Sequence, residues 1–407
     1  MTRREFLLGV GGIGMLAMPG RAGGGEASAG ASVRLFLCGD VMTGRGIDQV
    51  LLHPSEPTLH ESYVRDARRY VELAEAAHGA ISRPVEPAYI WGDALEELRR
   101  HRPDLQIVNL ETAVTTSDEF WPGKGIHYRM HPENAACLTV AGIDCCVLAN
   151  NHVLDWGYPG LAETLETLRR AGISTAGAGR DAEEATAPAI LPIPGGGQVL
   201  VFAFGSPTSG IPRAWAAAAD RPGLSLLPDL TGETATRIAE RIAAHRQPDD
   251  LVVASVHWGP NWGYAIPEPR RRFARLLIER ADVDVVHGHS SHHPIGIEVH
   301  RGRPILYGCG DFLNDYEGIG GHEEYRGDLG LGYFATFGAA RGGLAELAMV
   351  PFQSRRFRLR RASARDRRWL QRTLDRECRE LGSRVVEGSD GSLALGWPSR
   401  RTRADRG

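Results

Sequence analysis

Three features are scarce in this 407-residue sequence, and each scarcity narrows the classes of protein that fit it. The formal net charge is only −3, so the chain has no basic field of the kind that attracts nucleic acid. The six cysteines include no Cys-x-x-Cys pair and show no zinc-ribbon spacing. No apolar run is long enough to span a bilayer, and the run in the N-terminal segment is also rich in glycine. We therefore expect no nucleic-acid partner, no zinc ribbon and no membrane-spanning helix in the main part of the chain.

The first 30 residues have the order of a targeting segment. Arg3 and Arg4 precede an apolar stretch that runs to Met18, and small residues around Ala29 and Ala31 suit cleavage. This order resembles a twin-arginine signal, which exports folded proteins; the alternative is a basic N-terminus that arose by chance. The sequence predicts a signal segment over residues 1–30 and a mature protein on the periplasmic or extracellular face.

The remaining chain has the pattern of a layered α/β fold. Hydrophobic residues make up 42% of the sequence, enough for a substantial core, and strand-like runs alternate with helical stretches from Val33 onward. Residues 355–361 are rich in arginine, which favours a solvated helix face over a polyanion-binding role. The predicted helices cover residues 89–100, 158–170, 269–280 and 365–381, and strands are expected within 332–350. The predicted parts are a main domain over 31–352, a basic helical extension over 353–385 and a flexible tail over 386–407.

Five strand-like runs end, at their C-terminal side, in residues suited to metal binding or proton transfer. The runs cover residues 33–38, 105–109, 145–149, 251–256 and 283–286. The residues that follow them are Asp40, Glu111, Asn151-His152, His257 and His289-x-x-His292. In open α/β sheets, ligands bind at the carboxyl ends of the strands. We therefore expect these side chains to meet at one edge of the fold.

Histidine is concentrated after the last of these runs, where four histidines fall within seven positions. A lone histidine is more often structural than a ligand, but a glycine within this group allows close approach, and neutral imidazoles suit Zn, Mn or Fe. The pattern favours His289 and His292 as metal ligands, with His257 as the third imidazole. The other two, His287 and His293, are expected either to support the ligands from behind or to have structural roles.

Oxygen ligands and a proton-transfer group are predicted at the other strand ends. Asp40 and Glu111 supply carboxylates, one of which can bridge two cations; the alternative for each is a helix cap or a surface acid. Asn151 is predicted as a ligand, and the adjacent His152 as a proton-handling imidazole that Asp155 orients. The alternative for Asp155 is capping of the next helix.

Two arginines are candidates for contacts with an anionic substrate group. Arg45 lies just beyond Asp40, and Arg129 lies in the stretch His-Tyr-Arg-Met-His. A guanidinium can bind phosphate or carboxylate through two parallel hydrogen bonds. A structural ion pair is an equal alternative for both arginines.

Six stretches, in order along the chain, carry a specific resemblance. They are Gly-Asp-Val-Met-Thr-Gly-Arg (39–45), Asn-Leu-Glu (109–111), Ala-Asn-Asn-His-Val-Leu-Asp-Trp-Gly (149–157), His-Trp-Gly (257–259), Gly-His-Ser-Ser-His (288–292) and Tyr-Gly-Cys-Gly-Asp-Phe (307–312). This ordered set resembles the CapA family, the poly-γ-glutamate capsule synthesis proteins, within the calcineurin-like metallophosphatase superfamily. The resemblance implies a four-layer α/β/β/α sandwich whose metal site lies at the C-terminal ends of the strands.

The resemblance also implies roles for individual residues. One metal position is well furnished, by a bridging Glu111 with Asn151, His257 and His289. The other has only Asp40, Glu111 and His292, because Met42 stands where the superfamily motif Asp-x-His has its histidine. A thioether does not suit Mn or Mg, so Met42 is expected to pack, and one or two divalent ions (Mn, Zn or Fe) are expected with unequal affinity. His152 is the implied proton donor to a leaving group, or a charge stabiliser.

Three functions stay open at this point. The favoured one is an exported metal-dependent hydrolase in the synthesis, release or processing of poly-γ-glutamate. The alternatives are a phosphoesterase for an unrelated extracytoplasmic phosphoester and a non-catalytic polymer-binding protein with a vestigial metal site. The presence of His152, Asp155 and a complete ligand set for one ion favours a catalyst. The expected partners are an anionic polymer or phosphoester substrate and membrane proteins of capsule synthesis.

Overall fold

The structure is a computed structural model that describes residues 32–193, 196–338 and 343–398. The predicted signal segment over residues 1–30 lies outside the described residues. The strands are β1 (Val33–Val41), β2 (Leu105–Leu110), β3 (Ala113–Val114), β4 (Arg129–Met130), β5 (Cys145–Val147), β6 (Ser174–Ala176), β7 (Ala178–Gly179), β8 (Ala189–Pro192), β9 (Gln198–Gly205), β10 (Gly223–Leu224), β11 (Leu251–His257), β12 (Val285–His289), β13 (Ile297–His300), β14 (Arg303–Leu306), β15 (Asp311–Leu313), β16 (Leu329–Phe337), β17 (Leu344–Ser354), β18 (Leu359–Arg361), β19 (Arg384–Glu387) and β20 (Leu393–Gly396). The α-helices are α1 (Arg68–His78), α2 (Ala94–His101), α3 (Ala136–Val140), α4 (Gly157–Arg170), α5 (Ala182–Thr186), α6 (Gly232–Ala243), α7 (Glu268–Ala281) and α8 (Ala364–Arg379).

The larger sheet has the order β19-β20-β17-β16-β1-β2-β5-β6, with β15 beside β1 and β18 beside β17. Strands β1, β2, β5 and β6 are parallel, whereas β16, β17 and β20 continue the sheet in antiparallel pairs. Alternate residues of β1 enter different cores, because side chains along a strand point to opposite faces. Phe36 and Cys38 pack in the core shared with helices α1, α2 and α4. Leu35 and Leu37 pack on the other face, against the second sheet.

The smaller sheet has the order β13-β14-β12-β11-β9-β8, and its central strands β9, β11, β12 and β14 are parallel. Val199, Val201 and Val253 face the core between the two sheets. Phe202 and Val252 face away from it and pack with helices α6 and α7. The resulting order of layers is helices, sheet, sheet, helices, which confirms the predicted α/β/β/α architecture.

The C-terminal region corrects two of the predicted boundaries. The predicted helix over residues 365–381 is present as α8, but Leu370 and Leu374 pack into the core between the sheets, so it does not form a separate extension. The tail predicted from residue 386 is wrong as far as residue 396, because β19 and β20 form a hairpin and β20 pairs with β17 in the larger sheet. Apolar residues in this short hairpin, including Leu393, are buried and hold it there. Residues 399–407 of the predicted tail lie outside the described residues.

One predicted helix begins later than the sequence suggests. The pattern predicts a start at residue 89, whereas α2 begins at Ala94. Gly92 has a φ of 45°, and a Cβ at this position would lie 2.1 Å from the carbonyl oxygen of Leu359. The Asp93 N–H donates to the same carbonyl, so close packing against β18 delays the helix.

The parallel strands bring their carboxyl ends to one region of the molecule. The pairing of β1 with β2 is irregular between Cys38 and Asp40, which is where the first predicted ligand stands. In the neighbouring sheet, His257 pairs in register with His289 at the ends of β11 and β12. Among the described residues, no helix combines the length and apolar character needed to cross a membrane. The layered fold therefore positions the predicted site where the two sheets meet.

Candidate metal centre

Asp40 and Glu111 form the carboxylate side of the site, at the ends of β1 and β2. Both side chains are buried, and the amide of Asn109 joins them by donating to Asp40 Oδ1 at 2.7 Å and to Glu111 Oε2 at 3.0 Å. Burial, followed by the charge of Asp311, raises the pKa of Asp40 to about 7. Burial and the charge of Asp40 raise the pKa of Glu111 well above its ordinary value. Two carboxyls held this close and this deep are stabilised by a cation.

His257 and His289 form the imidazole side. Their Nδ1 atoms lie 2.7 Å apart, and Asn151 Oδ1 lies 2.8 Å from His257 Nε2. His289 Nδ1 lies 3.9 Å from Asp40 Oδ1, and His257 Nδ1 lies 3.9 Å from Glu111 Oε2. Burial lowers the pKa of both histidines well below the ordinary value, so both stay neutral and keep a lone pair for a metal. One ligand atom from each of Asp40, His257 and His289 lies within 4.8 Å of the others.

A second grouping contains Asp40, His292 and Asp311, again with ligand atoms within 4.8 Å of one another. Asp311 Oδ1 lies 2.9 Å from His292 Nδ1, and Asn314 Nδ2 donates to Asp311 Oδ2 at 2.9 Å. Burial lowers the pKa of His292, but the charges of Asp311 and Asp40 outweigh it, so the pKa lies above the ordinary value. Asp40 is thus common to both groupings.

The structure brings all six predicted ligands together and adds Asp311, which sequence reasoning did not assign. The signal was present, because Asp311 follows the buried strand β14 after a short loop and pairs with Asp40 in register. Met42 is fully buried, as expected for a packing residue, and its N–H donates to the Leu313 carbonyl.

The donor chemistry of both groupings fits a divalent cation. The first combines a carboxylate with two neutral imidazoles and lies beside Glu111 and an amide oxygen; the second combines two carboxylates with one imidazole. Carboxylates and imidazoles together suit Mn, Fe or Zn. The described residues therefore contain buried Asp/His groupings that could hold one or two metal ions.

Two glycines allow the backbones to approach each other behind these ligands. A Cβ on Gly39 would lie 1.6 Å from the carbonyl oxygen of Gly310, and one on Gly288 would lie 2.5 Å from that of Leu306. Real Cβ atoms do not come so close to backbone oxygens. Any side chain at residues 39 or 288 would therefore push Asp40 or His289 away from the centre.

His152 lies beside the carboxylates, held by acidic and basic partners on its far side. Its Nδ1 atom lies 2.7 Å from Asp155 Oδ2, and its Nε2 atom lies 3.8 Å from Glu111 Oε1. The ammonium of Lys124 lies 2.5 Å from Asp155 Oδ1 and 3.0 Å from His152 Nδ1. Burial and the Lys124 charge, against the opposing effect of Asp155, lower the pKa of His152 to about 4.

Sequence reasoning also missed Lys124. It is the sole lysine of the chain, where Lys and Arg together number 47, so every other basic residue of that class is an arginine. Its rarity was the available signal, because it lies in a loop without strand or helix periodicity. Its side chain is only 15% exposed and points into the group formed by His152 and Asp155.

The two predicted substrate-binding arginines are engaged within the protein. Arg45 donates to both carboxylate oxygens of Asp315, to Glu61 and to Tyr70, and only 2% of its side chain is exposed. Arg129 donates to Asp118 and to two backbone carbonyls, and its guanidinium lies 3.9 Å from the centre of the Trp156 ring system. This geometry fits the structural ion pair that was the alternative for both residues.

Comparison with known proteins places these residues in a described family. Residues 34–316 match the family model of the bacterial capsule synthesis protein PGA_cap, a span that contains every site residue from Asp40 to Asp311. A Mycobacterium tuberculosis protein named "Probable polyglutamine synthesis accessory protein" is 46% identical over 364 residues, which cover 89% of this chain and 96% of the relative. The PGA biosynthesis protein CapA of Bacillus subtilis is 27% identical over 267 residues, 64% of each chain. The capsule biosynthesis protein CapA of Bacillus anthracis is 27% identical over 197 residues, 47% of this chain and 45% of the relative.

Proposed function

The chain belongs to the PGA_cap family of bacterial capsule synthesis proteins, and from this membership we propose that it is an exported metal-dependent hydrolase in the synthesis, release or processing of poly-γ-glutamate. The process is supported by the names of its relatives, which refer to PGA biosynthesis, capsule biosynthesis and polyglutamine synthesis. The chemistry is supported by one observation above the others: two buried Asp/His groupings share Asp40, with His152 beside them.

The residues that would hold the ions divide into two sets. Asn151, His257 and His289 would hold one cation, and His292 with Asp311 would hold the other. Asp40, which belongs to both groupings, and Glu111, which lies beside it, stand between the two sets. Such cations supply Lewis-acid stabilisation of developing negative charge and make water more acidic.

His152 has the position of a proton donor. Its Nε2 atom faces Glu111 and the site, whereas its Nδ1 atom is engaged by Asp155 and Lys124. Because the imidazole is buried and held on one side, its Nε2 atom faces the site without reorienting. Its pKa of about 4 keeps the imidazole neutral before substrate binds, so in this proposal the negative charge of a bound substrate lets His152 take up the proton that it then donates. Asp155 is held in turn by the Tyr128 N–H, which donates to Oδ2 at 2.7 Å.

A substrate would reach this centre through a cavity of about 640 Å³ beside His292. Its lining includes Tyr63, Trp262, Tyr316 and Arg326. The cations in this lining are already paired, Arg45 with Asp315 and Arg326 with Asp328 and Asp366. An anionic substrate would therefore be bound at the inner, His292 end of the cavity and not along its walls.

The alternative chemistry is hydrolysis of an extracytoplasmic phosphoester, because the same ligand types serve phosphoester and amide hydrolysis. The second alternative is a non-catalytic polymer-binding protein, which the word "accessory" in the Mycobacterium tuberculosis name favours. Metal analysis of the purified protein, with parallel assays on poly-γ-glutamate and on aryl phosphates, distinguishes the proposed function from these two alternatives. If the wild-type protein shortens poly-γ-glutamate and the His289→Ala variant does not, the proposal is supported. Phosphate release alone supports the phosphoesterase, and polymer binding without cleavage supports the accessory role.

Export is the remaining part of the proposal and rests on the N-terminal pattern of two arginines followed by an apolar stretch. Replacing Arg3 and Arg4 by Lys should retain the protein in the cytoplasm if a twin-arginine signal carries it out. Unchanged export would mean a different route. Membrane proteins of capsule synthesis are the proposed partners of the exported protein.

A further inference from the structure

A chain of hydrogen bonds runs from His289 to the opposite sheet. His289 Nε2 lies 2.8 Å from Ser255 Oγ, and the same oxygen lies 3.1 Å from His287 Nδ1. His287 Nε2 lies 2.7 Å from the backbone carbonyl oxygen of Cys38 on β1. The three side chains are almost completely buried. This chain, Cys38–His287–Ser255–His289, is called the relay below.

The relay has only one consistent direction. A backbone carbonyl can only accept, so His287 Nε2 carries its hydrogen and donates to Cys38. A neutral His287 then has a lone pair on Nδ1, which must accept from the Ser255 hydroxyl. A hydroxyl has a single hydrogen, so the Ser255 oxygen can only accept from His289 Nε2. His289 therefore carries its hydrogen on Nε2.

The reverse direction would require a charged His287. If Ser255 donated to His289, His287 would need hydrogens on both nitrogens, and it would be an imidazolium. Its described hydrogen-bond partners are a serine hydroxyl and a carbonyl, neither of them acidic. A buried charge without a charged partner is strongly unfavourable, so the neutral arrangement prevails.

We infer that Ser255 and His287 are positioning residues which fix the hydrogen of His289 on Nε2, so that Nδ1 presents its lone pair to a divalent cation. Nδ1 is the His289 atom that lies 2.7 Å from His257 Nδ1 and 3.9 Å from Asp40 Oδ1, on the metal side of the ring. Partners of this kind set the tautomer of a ligating histidine. The larger sheet also contributes to this positioning, because the last acceptor of the relay is the Cys38 carbonyl oxygen on β1. This inference rests on the proposed metal site, but not on the hydrolytic reaction.

The test is a metal titration of the metal-free full-length protein. Zn²⁺ affinity is measured by calorimetry, and Co²⁺ binding is followed by its visible absorption bands, which report the ligand set. Ser255→Ala removes the acceptor for His289, and His287→Phe leaves the Ser255 hydroxyl free to donate to His289 Nε2. Each change should weaken the tighter Zn²⁺ binding step by roughly 10- to 100-fold and shift the Co²⁺ bands. Ser255→Thr, which keeps the hydroxyl, should retain the wild-type bands.

The double variant distinguishes a relay from two separate structural effects. In the relay His287 reaches the His289 hydrogen through Ser255, although the two rings also lie 5.3 Å apart. Adding His287→Phe to Ser255→Ala should therefore weaken Zn²⁺ binding much less than the sum of the two single changes. The matched control is Ser383→Ala, since Ser383 is also buried and donates to backbone carbonyls, but remote from the site. Loss of the Ser383 hydroxyl should lower the thermal stability of the protein without altering its Zn²⁺ affinity.

Several outcomes would overturn the inference. Wild-type Zn²⁺ affinity in Ser255→Ala would do so, as would additive losses in the double variant. A wild-type protein that binds neither metal would remove both this inference and the proposed function. A protein that binds Zn²⁺ through the relay but cleaves no substrate would remove the hydrolase proposal alone.

Discussion

Nδ1 of His292 lies 2.9 Å from Oδ1 of Asp311, and both side chains are buried beside Asp40. Asp311 is held there by β15, which lies parallel to β1 and pairs Asp311 with Asp40. This grouping is richer in carboxylate than the one that contains His257 and His289. The two candidate cation positions therefore differ in ligand chemistry, and each offers its own test.

We expect two unequal binding steps when the metal-free protein is titrated with Mn²⁺ or Zn²⁺. Asp311→Asn should abolish or weaken the weaker step, because it removes the charge of a proposed ligand, and should leave the tighter step nearly unchanged. Asp48→Asn is the matched control, since Asp48 is buried and accepts hydrogen bonds from residues 55, 131 and 134, outside both groupings. Two equal steps that Asp311→Asn leaves intact would show that Asp311 is not a ligand.

How far the sequence predicts this site depends on where each residue stands relative to a strand. Asp40, Glu111, His257 and His289 lie at the end of a buried strand or within one residue of it, and the pattern of apolar runs placed them at one edge. Asp311 follows a four-residue loop after β14, and only the pairing of β15 with β1 brings it to the site. Lys124 lies in a loop without periodicity, so its position depends entirely on tertiary packing.

The same reasoning explains why the sequence predicts the layers of the fold but not its C-terminal hairpin. The layers follow from alternating apolar residues, as in β1, where Leu35 and Phe36 enter opposite cores. The strands β19 and β20 have four residues each and lie among charged and glycine residues, so their pattern is too short to distinguish from a polar tail. Their structure comes from pairing with β17, which sequence periodicity does not contain.

The stability of the metal-free protein should depend on pH through Asp40. Burial raises the pKa of this carboxyl from 3.8 to about 7, so the folded state keeps a proton that the unfolded state releases. The resulting stabilisation is fully present below the unfolded value and is lost as pH rises through about 7. Asp40→Asn cannot ionise, so its melting temperature relative to wild type should increase between about pH 4 and pH 7. A difference that does not change with pH would contradict this origin, and Zn²⁺ should stabilise wild type more than the variant.

Arg45 should behave as a structural residue. Its guanidinium is buried between the rings of Tyr70 and Tyr128 and is paired with Asp315 and Glu61. Arg45→Met would leave two buried carboxylates without their cation, at a cost of roughly 3–5 kcal/mol in the free energy of unfolding. Urea denaturation measures this loss. Unchanged stability combined with a raised KM would instead identify Arg45 as a substrate contact.

Lys124 should control the protonation of His152. Its charge, after burial, lowers the pKa of His152 to about 4, while Asp155 acts in the opposite direction. In Lys124→Met burial still lowers the pKa of His152, but the Lys124 charge no longer opposes the Asp155 carboxylate, so this pKa should rise toward its ordinary value. Lys124→Arg keeps the positive charge and serves as the control. NMR titration of labelled histidines, with His152→Gln to assign the signal, measures the change; an identical titration in wild type and Lys124→Met would exclude this role.

The role of His152 separates catalysis from binding. It lies beside the carboxylates, with Nε2 3.8 Å from Glu111 Oε1, and belongs to neither Asp/His grouping. His152→Ala should therefore keep nearly the full metal content while turnover falls by roughly 10²–10⁴-fold, the usual contribution of a positioned acid or base. His257→Ala, by contrast, should lose metal and activity together, because it removes a proposed ligand. Metal analysis of both variants alongside the same hydrolysis assay makes the comparison. If His152→Ala lost metal as His257→Ala does, His152 would be a ligand; if it kept full activity, the imidazole would be structural, and the polymer-binding alternative would gain support.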